Sequence, residues 1–355
     1  MDGLDKLRNK IDEIDEKILD LLNKRAEIVL DVAELKRDEN KVFYAPDRER
    51  KILERLTALN RGPFPNDALQ VVFREIISAS LSMEKTLEVA CLGPLATYTH
   101  LAGVRHFGSS AKFIPVKSIK EVFEAVENGQ ADYGVVPIEN STEGVVSYTL
   151  DMFIDSDLKI NAEVMLEISH NLLSVSGNIE DIKKIYSHPQ PVAQCRRWLE
   201  GNLPDIEIFE ATSTAKAAEL ASGDASAAAI ASEMAAKIYN LKFVQRGIED
   251  NKNNYTRFLV ISNDIVPKTD RDKTSILFTI KDKPGALFDI LAPFKKSKIN
   301  LKKIESRPSR RKAWEYIFFV DMEGHIEDKK VRKAIDDIKD HCLYLKFLGS
   351  YPLSE

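Results

Sequence analysis

Cysteine is scarce in this chain: three residues in 355, Cys91, Cys195 and Cys342, widely spaced and odd in number. They form no C-x-x-C pair, so neither a disulfide framework nor a zinc site is favoured, and buried reduced thiols are expected. No apolar run is long enough to span a bilayer. The N-terminus, MDGLDKLRNKIDEIDE, is charged from the outset and has no signal-peptide apolar region. Neither sign of charge dominates: 51 basic and 56 acidic residues leave a net charge of -5, which gives no electrostatic reason to bind nucleic acid or an anionic membrane. GxGxxG, Gly-rich phosphate loops, HExxH and G-x-S-x-G elbows are all missing, so nucleotide, zinc and serine-hydrolase chemistry lack support. The expectation is a cytoplasmic enzyme of small molecules with no metal or other cofactor.

What is present divides the chain in three. From Leu4 to Leu35 the apolar residues Leu4, Leu7, Ile11, Ile14, Ile18, Leu21, Ile28, Val32 and Leu35 alternate spacings of three and four, a heptad seam on one long helix. Such a helix would be about 50 Å long, too long to be covered by the short helices that follow, so a partner chain is expected. Pro46 and Pro65 open a second helix (46–60) and a third (65–85). At Thr86 the pattern changes to short apolar runs alternating with helical stretches, which predicts an α/β domain with a largely parallel sheet as far as Ser262. The polar stretch 262–273 reads as a linker. After it the order is βαββαβ, a ferredoxin-like unit.

Within the helical region Arg25 occupies a seam position where Leu or Ile belongs. An unpaired buried guanidinium costs several kcal/mol, so an anion should meet it. Lys36 lies eleven residues on, close to three turns, on nearly the same stripe, whereas Arg8 points about 100° away by the helical period. Ser80 and Glu84 continue the stripe of Phe73 and Ile77 on the third helix, and Arg48 and Glu49 open the second. A coiled-coil dimerisation module with one Arg–Glu pair is the competing interpretation. LRNKIDEIDEKILDLLNKRAEIVLDVAELK, YAPDRERKIL and REIISASLSME together resemble the all-helical chorismate mutase family, in which two chains intertwine. The resemblance implies that Arg8 is donated across the dimer and that Arg25 and Arg48 hold substrate carboxylates. It gives Lys36 a carboxylate and the ether oxygen, Glu49 the ring hydroxyl, and Ser80 the ring carboxylate. Glu84 departs from the usual Gln: facing the ether oxygen, it should be protonated to donate a hydrogen bond. Ala45 departs too, standing where some relatives carry Asp.

Five loops of the α/β region are richer in polar side chains than sheet packing needs: GPLATYTH (93–100), VPIENSTEG (136–144), YSHPQPVAQC (186–195), ATSTA (211–215) and NNYTRFLVI (253–261). Helix capping explains some of them, through Ser141, Thr142, Ser213 and Thr214. The five in order resemble the prephenate dehydratase family, which implies two α/β lobes of periplasmic-binding-protein type with the active site between them. By that resemblance Thr256, in Thr256-Arg257-Phe258, is catalytic. Thr97, Tyr98, Asn140, Ser141, Ser187 and Gln190 would bind substrate, with Arg257 as a carboxylate anchor.

In the last block, PGALF opens a helix and ESRP ends a strand; Gly285 lets backbone approach a ligand, and the helix N-terminus offers free N–H groups. The block resembles the ACT regulatory family, implying a phenylalanine site formed by Gly285, Ala286, Leu287, Glu305, Ser306, Arg307 and Pro308. The rest of the basic run Arg307–Lys312 reads as a solvated turn.

The three resemblances imply domains at 1–86, 87–265 and 273–352 and an enzyme that turns chorismate into prephenate and then into phenylpyruvate, inhibited by phenylalanine. A homo-oligomer is expected, a dimer at least, with pairing into tetramers left open. Two rivals remain at this point: a dehydratase with a helical dimer tether, and a non-catalytic amino-acid sensor.

Overall fold

The computed structural model describes residues 3–38, 46–281, 283–308 and 316–354, the side chains at 37, 38, 46 and 47 excepted. Ala45 and the run 309–312 lie outside them. The chain forms two compact units, one of Met1–Leu87 with Phe107–Lys112, the other of Glu88–His106 with Phe113–Glu355.

The first unit is built on three helices, α1 (Gly3–Asp38), α2 (Pro46–Leu59) and α3 (Asn66–Glu84). No proline or glycine breaks α1 after Gly3, so its 36 residues run without interruption. Pro65 stands at the N-cap of α3, where a missing N–H costs nothing. Helix α3 packs on both others, yet the seam of α1 stays open: Leu7, Ile14, Leu21, Ile28 and Leu35 are each more than half exposed.

The second unit begins with β1 (Glu88–Leu92), α4 (Tyr98–Phe107), β2 (Lys112–Val116), α5 (Ile119–Glu127), β3 (Tyr133–Asn140), β4 (Gly144–Val145), α6 (Ser147–Asp155) and β5 (Lys159–Glu167). A second lobe follows, comprising β6 (Asn171–Ser174), β7 (Lys184–Ser187), α7 (Pro189–Gln194), α8 (Arg196–Asn202), β8 (Glu207–Glu210), α9 (Thr214–Ser222), β9 (Ala227–Ala231), α10 (Glu233–Ile238) and β10 (Lys242–Gln245). Strand β11 (Tyr255–Ser262) then returns to the first lobe. The first sheet has the order β2-β1-β3-β11-β5 with β4 beside β3, the second β10-β6-β9-β7-β8.

Neither sheet is largely parallel, contrary to expectation. In the first, β1 and β3 are parallel, but β11 is antiparallel to both β3 and β5. In the second, β7 runs parallel to β8 and β9, while β6 is antiparallel to β9 and β10. The reason is chain continuity. The connections 168–170 and 246–254 cross directly between lobes with no crossover helix to reverse direction, so the strands they join meet their neighbours antiparallel.

The C-terminal block is β12 (Asp272–Ile280), α11 (Ala286–Lys296), β13 (Leu301–Pro308), β14 (Tyr316–Glu323), α12 (Lys329–Lys339) and β15 (Cys342–Pro352), with sheet order β13-β14-β12-β15. One face, including Ile276, Phe278, Val320 and Met322, packs under residues of α11 and α12. The other, with Leu277, Ile317, Phe319, Leu348 and Tyr351, shares a core with Val122, Phe123, Phe153 and Leu259 of the first lobe. Residues 263–271 therefore join two packed bodies and are themselves tied down, Asp264 O accepting from Asn161 and Val266 O lying 3.2 Å from His325 Nε2.

Gly349 marks how closely these bodies approach. It has φ 151°, and a Cβ there would stand 2.3 Å from Ile160 O on β5. Backbone cannot yield as a side-chain tip can, so Gly349→Ala should cost about 2 kcal/mol or more and lower the melting temperature by about 5 °C. Thermal unfolding of the intact protein checks this; an unchanged melting temperature would mean that β15 does not sit against β5.

Candidate functional site

The helical unit encloses a cavity of about 590 Å³ lined by Arg25, Lys36, Arg48, Glu49, Ser80 and Glu84 among apolar residues of all three helices. Six of the seven mutase positions expected from sequence thus meet. Arg25 donates to Ser80 Oγ, whose own proton goes to Ile76 O at 2.7 Å, so the hydroxyl tethers the guanidinium to α3. Lys36 Nζ lies 2.7 Å from Glu84 Oε2, a pairing of the two residues expected to face the ether oxygen. Burial lowers the Arg25 pKa, with Arg48 adding to the effect and Glu84 opposing it. Burial also pushes the Glu49 carboxyl up to about 7 against the pull of Arg74. Among the described residues, Arg25, Lys36 and Arg48, with Lys24 at the edge paired to Asp20, then face the two carboxylates of Glu49 and Glu84, and the cavity keeps a positive balance suited to a dianion.

Arg8 is not brought in. It is two-thirds exposed, 3.9 Å from Asp5, and lies 17 residues before Arg25 on the same helix, about 25 Å along the axis. Within one chain it cannot reach the cavity.

In the second unit a chain of hydrogen bonds links the residues at the mouth of the two lobes. Thr256, nearly buried on β11, accepts from Asn140 Nδ2 at 2.8 Å. The same nitrogen reaches Asn254 Oδ1 at 2.8 Å, while Asn140 Oδ1 accepts from the backbone of Thr142 and Glu143 and from the Thr142 hydroxyl. Asn254 Nδ2 donates to Gln194 Oε1 at 3.3 Å, and Gln194 Nε2 donates to Glu143. That orientation presents the Gln194 oxygen to His170 Nε2 at 2.8 Å, so the imidazole carries its proton there. Tyr98 Oη donates its single proton to Ser169 O at 2.6 Å and lies 3.1 Å from His170 Nδ1. Burial lowers the His170 pKa, with Gln194 and Glu249 opposing, which keeps the ring a neutral structural link. Thr256 Oγ1 accepts from Asn140, so its own proton is not used in that bond.

Ser141 braces this arrangement: its hydroxyl donates to Asn253 O and accepts from Tyr255 N, fixing the start of β11. Thr97 is used locally, on Leu92 O and His100 N. Ser187 is buried and donates to His188 O. Gln190 is exposed in the first turn of α7, where His188 Nδ1 caps its N–H. The amide that joins the chain is Gln194, one turn further on. Sequence reasoning missed it, together with His170, which lies in none of the polar loops.

Arg257 is a correction. Its guanidinium does not anchor a carboxylate in the cleft; it donates to Glu163 at 2.7 Å, Asp321 at 2.6 Å and Tyr351 at 3.0 Å, all on the far side of the sheet. These partners outweigh burial and raise its pKa. Strand alternation carried the signal: successive residues face opposite ways, so Thr256 and Arg257 cannot share one cleft.

The C-terminal sheet carries a second cavity, about 260 Å³, lined by Gly285, Ala286, Leu287, Phe288, Tyr316 and Phe318 among others. Gly285, at φ 81°, makes the turn into α11. Of ESRP, Ser306 and Pro308 are exposed beside their register partners Phe318 and Tyr316. Arg307 is again a correction: it lies on the opposite face with Glu305, donates to Ser147 O and pairs with Asp151 on α6 at 3.3 Å.

The model of chorismate mutase type II matches residues 7–85, that of prephenate dehydratase residues 89–265, and that of the ACT domain residues 274–340. The bifunctional chorismate mutase/prephenate dehydratase of Aquifex aeolicus is 52% identical over 99% of this chain and 98% of its own. That of Pseudomonas aeruginosa is 44% identical over the same shares. Among solved structures, prephenate dehydratase in complex with L-Phe from Arthrobacter aurescens superposes with a TM-score of 0.69 at 34% identity, covering 75% of this chain and 90% of that one. With three family models in order and relatives matched end to end, the chain belongs to the bifunctional chorismate mutase/prephenate dehydratase family.

Proposed function

We propose that this chain rearranges chorismate to prephenate in its helical cavity and converts prephenate to phenylpyruvate in the two-lobed cleft, with phenylalanine as feedback inhibitor. The observation that carries the reading is the presence, in one chain, of a cation-lined cavity and of a hydrogen-bond chain that links the two lobes and ends on Thr256. Residues 1–86 take the mutase role, 87–265 the dehydratase role and 273–352 the regulatory one.

The rearrangement needs no nucleophile. It needs chorismate held in a compact conformer and negative charge stabilised on the breaking ether oxygen. Arg25, Arg48 and Ser80 would orient the carboxylates, and Glu49 the ring hydroxyl. Lys36, released from Glu84, would meet the ether oxygen. The exposed seam of α1 supports a homodimer in which the partner supplies Arg8. The cytoplasm is the proposed location.

In the cleft, the bond from the ring to its carboxylate breaks to release carbon dioxide, and its electron pair enters the ring. The bond to the ring hydroxyl breaks in turn, and the departing hydroxide leaves as water. One proton is taken up from solvent. Thr256 would donate a hydrogen bond to the leaving oxygen, a role worth about a hundredfold or more in rate. Asn140, Ser141 and Ser187 would orient the substrate and its surroundings. The C-terminal cavity at Gly285, Ala286 and Leu287, with Ser306 and Pro308 at its rim, would take phenylalanine.

Incubation with chorismate, with and without phenylalanine, should yield prephenate and then phenylpyruvate, the second step slowed by the amino acid. Thr256→Ala should lower dehydratase kcat about a hundredfold and leave the mutase rate unchanged; normal turnover to phenylpyruvate would remove Thr256 from the chemistry.

The mutase should bind its substrate more weakly as pH rises through about 7. Glu49, pushed up to about 7 by burial, becomes a carboxylate above it and repels the dianion, so KM rises; Glu49→Gln should abolish that rise. A pH-independent wild-type KM would remove Glu49 from the binding of the dianion. Glu84 acts on charge that develops only in the transition state, so Glu84→Gln, which puts an N–H donor in place of the carboxylate, should raise kcat and leave KM near the parent. An unchanged kcat would show that Glu84 does not meet the ether oxygen.

A further inference from the structure

Thr256 and Asn140 are cross-strand partners on β11 and β3. Their chain neighbours, Arg257 and Glu139, are partners as well, and alternation turns both to the reverse face of the sheet. There they meet a third pair in register, Asp321 of β14 and Lys303 of β13 in the C-terminal sheet. Arg257 Nη1 is 2.6 Å from Asp321 Oδ2, and Lys303 Nζ is 2.7 Å from Glu139 Oε2. Two adjacent residues behind the cleft are thus clamped to two adjacent residues of another sheet.

Each half of the clamp is held differently. Arg257 is fixed in plane by three acceptors, Glu163, Asp321 and Tyr351. Lys273 neutralises Glu163 from β12, and Ser275 bonds both Asp321 and Tyr351. Among the described residues Lys303 makes no well-aligned hydrogen bond, and it holds Glu139 by charge.

The position of the clamp on the strand matters. The pairing of β11 with β3 shifts between Arg257 and Phe258, opposite the stretch from Glu139 to Pro137. Proline offers no N–H to the ladder, and a bulge re-aims the side chains next to it. The ladder with β5 runs in unbroken register past Thr256 and Arg257 and holds that edge of β11, whereas the irregular edge toward β3, which carries Asn140, has the two ion pairs immediately behind it.

We propose that Arg257 and Glu139 are positioning residues for the dehydratase reaction, holding Thr256 and Asn140 through Asp321 and Lys303, so that the C-terminal domain forms part of the catalytic frame. This rests on the assignment of Thr256 to the chemistry. A hydrogen-bond donor displaced by a fraction of an ångström loses transition-state stabilisation more than ground-state binding, so the effect falls on kcat.

The test uses the full-length enzyme, with the thermal unfolding of each variant as the measure of folded protein and rates normalised to mutase turnover of the same preparation. Asp321→Asn and Lys303→Met should each lower dehydratase kcat about tenfold, with KM within about twofold of the parent. Lys303→Arg, which keeps the charge, should restore most of the rate. If Asp321→Asn fails to fold, the partly exposed Glu139–Lys303 pair decides alone. A dehydratase kcat within about twofold of the parent in folded Lys303→Met, or equal losses in the Met and Arg variants, overturns the proposal. Thr256→Ala is measured alongside. Full turnover there overturns the assignment of Thr256 and, with it, the basis of the clamp. An inactive Thr256→Ala beside fully active clamp variants overturns the clamp alone.

Discussion

A strand that returns from a second lobe and inserts between two strands of the first must satisfy hydrogen bonds on both edges and pack side chains on both faces. Strand β11 does this between β3 and β5, and most of the second unit depends on it. Its first residues close the crossing between the lobes, its Thr256 enters the cleft, and its Arg257 enters the interface behind. A central strand placed last in its domain cannot pair before the second lobe has been traversed. The first sheet is therefore complete, and the seat of the C-terminal sheet whole, only once the chain has returned from the second lobe.

The helical cavity follows a different logic. Among the described residues it concentrates Lys24, Arg25, Lys36 and Arg48 around the carboxylates of Glu49 and Glu84, and burial disfavours the charged forms of Arg25 and Glu49 alike. A pocket that disfavours its own charges when empty gains most when a dianion enters, because the ligand completes the neutralisation that the protein leaves unfinished. Ser80, by holding Arg25 to α3, limits the reorganisation needed at that moment.

Much of this was legible in the chain, and the rest was hidden for identifiable reasons. The long helix, its apolar seam and the misfit Arg25 are local patterns of a single period, and six mutase positions separated in sequence do line one cavity. The βαββαβ order was equally readable. Strand direction was not, because the link from β5 to β11 runs through another lobe and no local signal marks it. The choice between Gln190 and Gln194 depends on His170, a residue outside every polar loop. Arg257 and Arg307 were drawn toward ligands by their motifs, although the twofold alternation of a strand already sends each to the face opposite its neighbour.

The C-terminal sheet, covered by α11 and α12 on one side and seated on the first lobe on the other, bears on modularity. Regulatory domains of common fold are often treated as cassettes that can be moved from one enzyme to another. This one could not be lifted out intact. Severed at the connecting segment, it would present Leu277, Phe319, Leu348 and Tyr351 to water and leave Asp321 and Lys303 facing nothing. A graft onto a new enzyme would have to carry the matching face of the first lobe with it, so the smallest unit evolution can transfer here is the dehydratase and its regulator together.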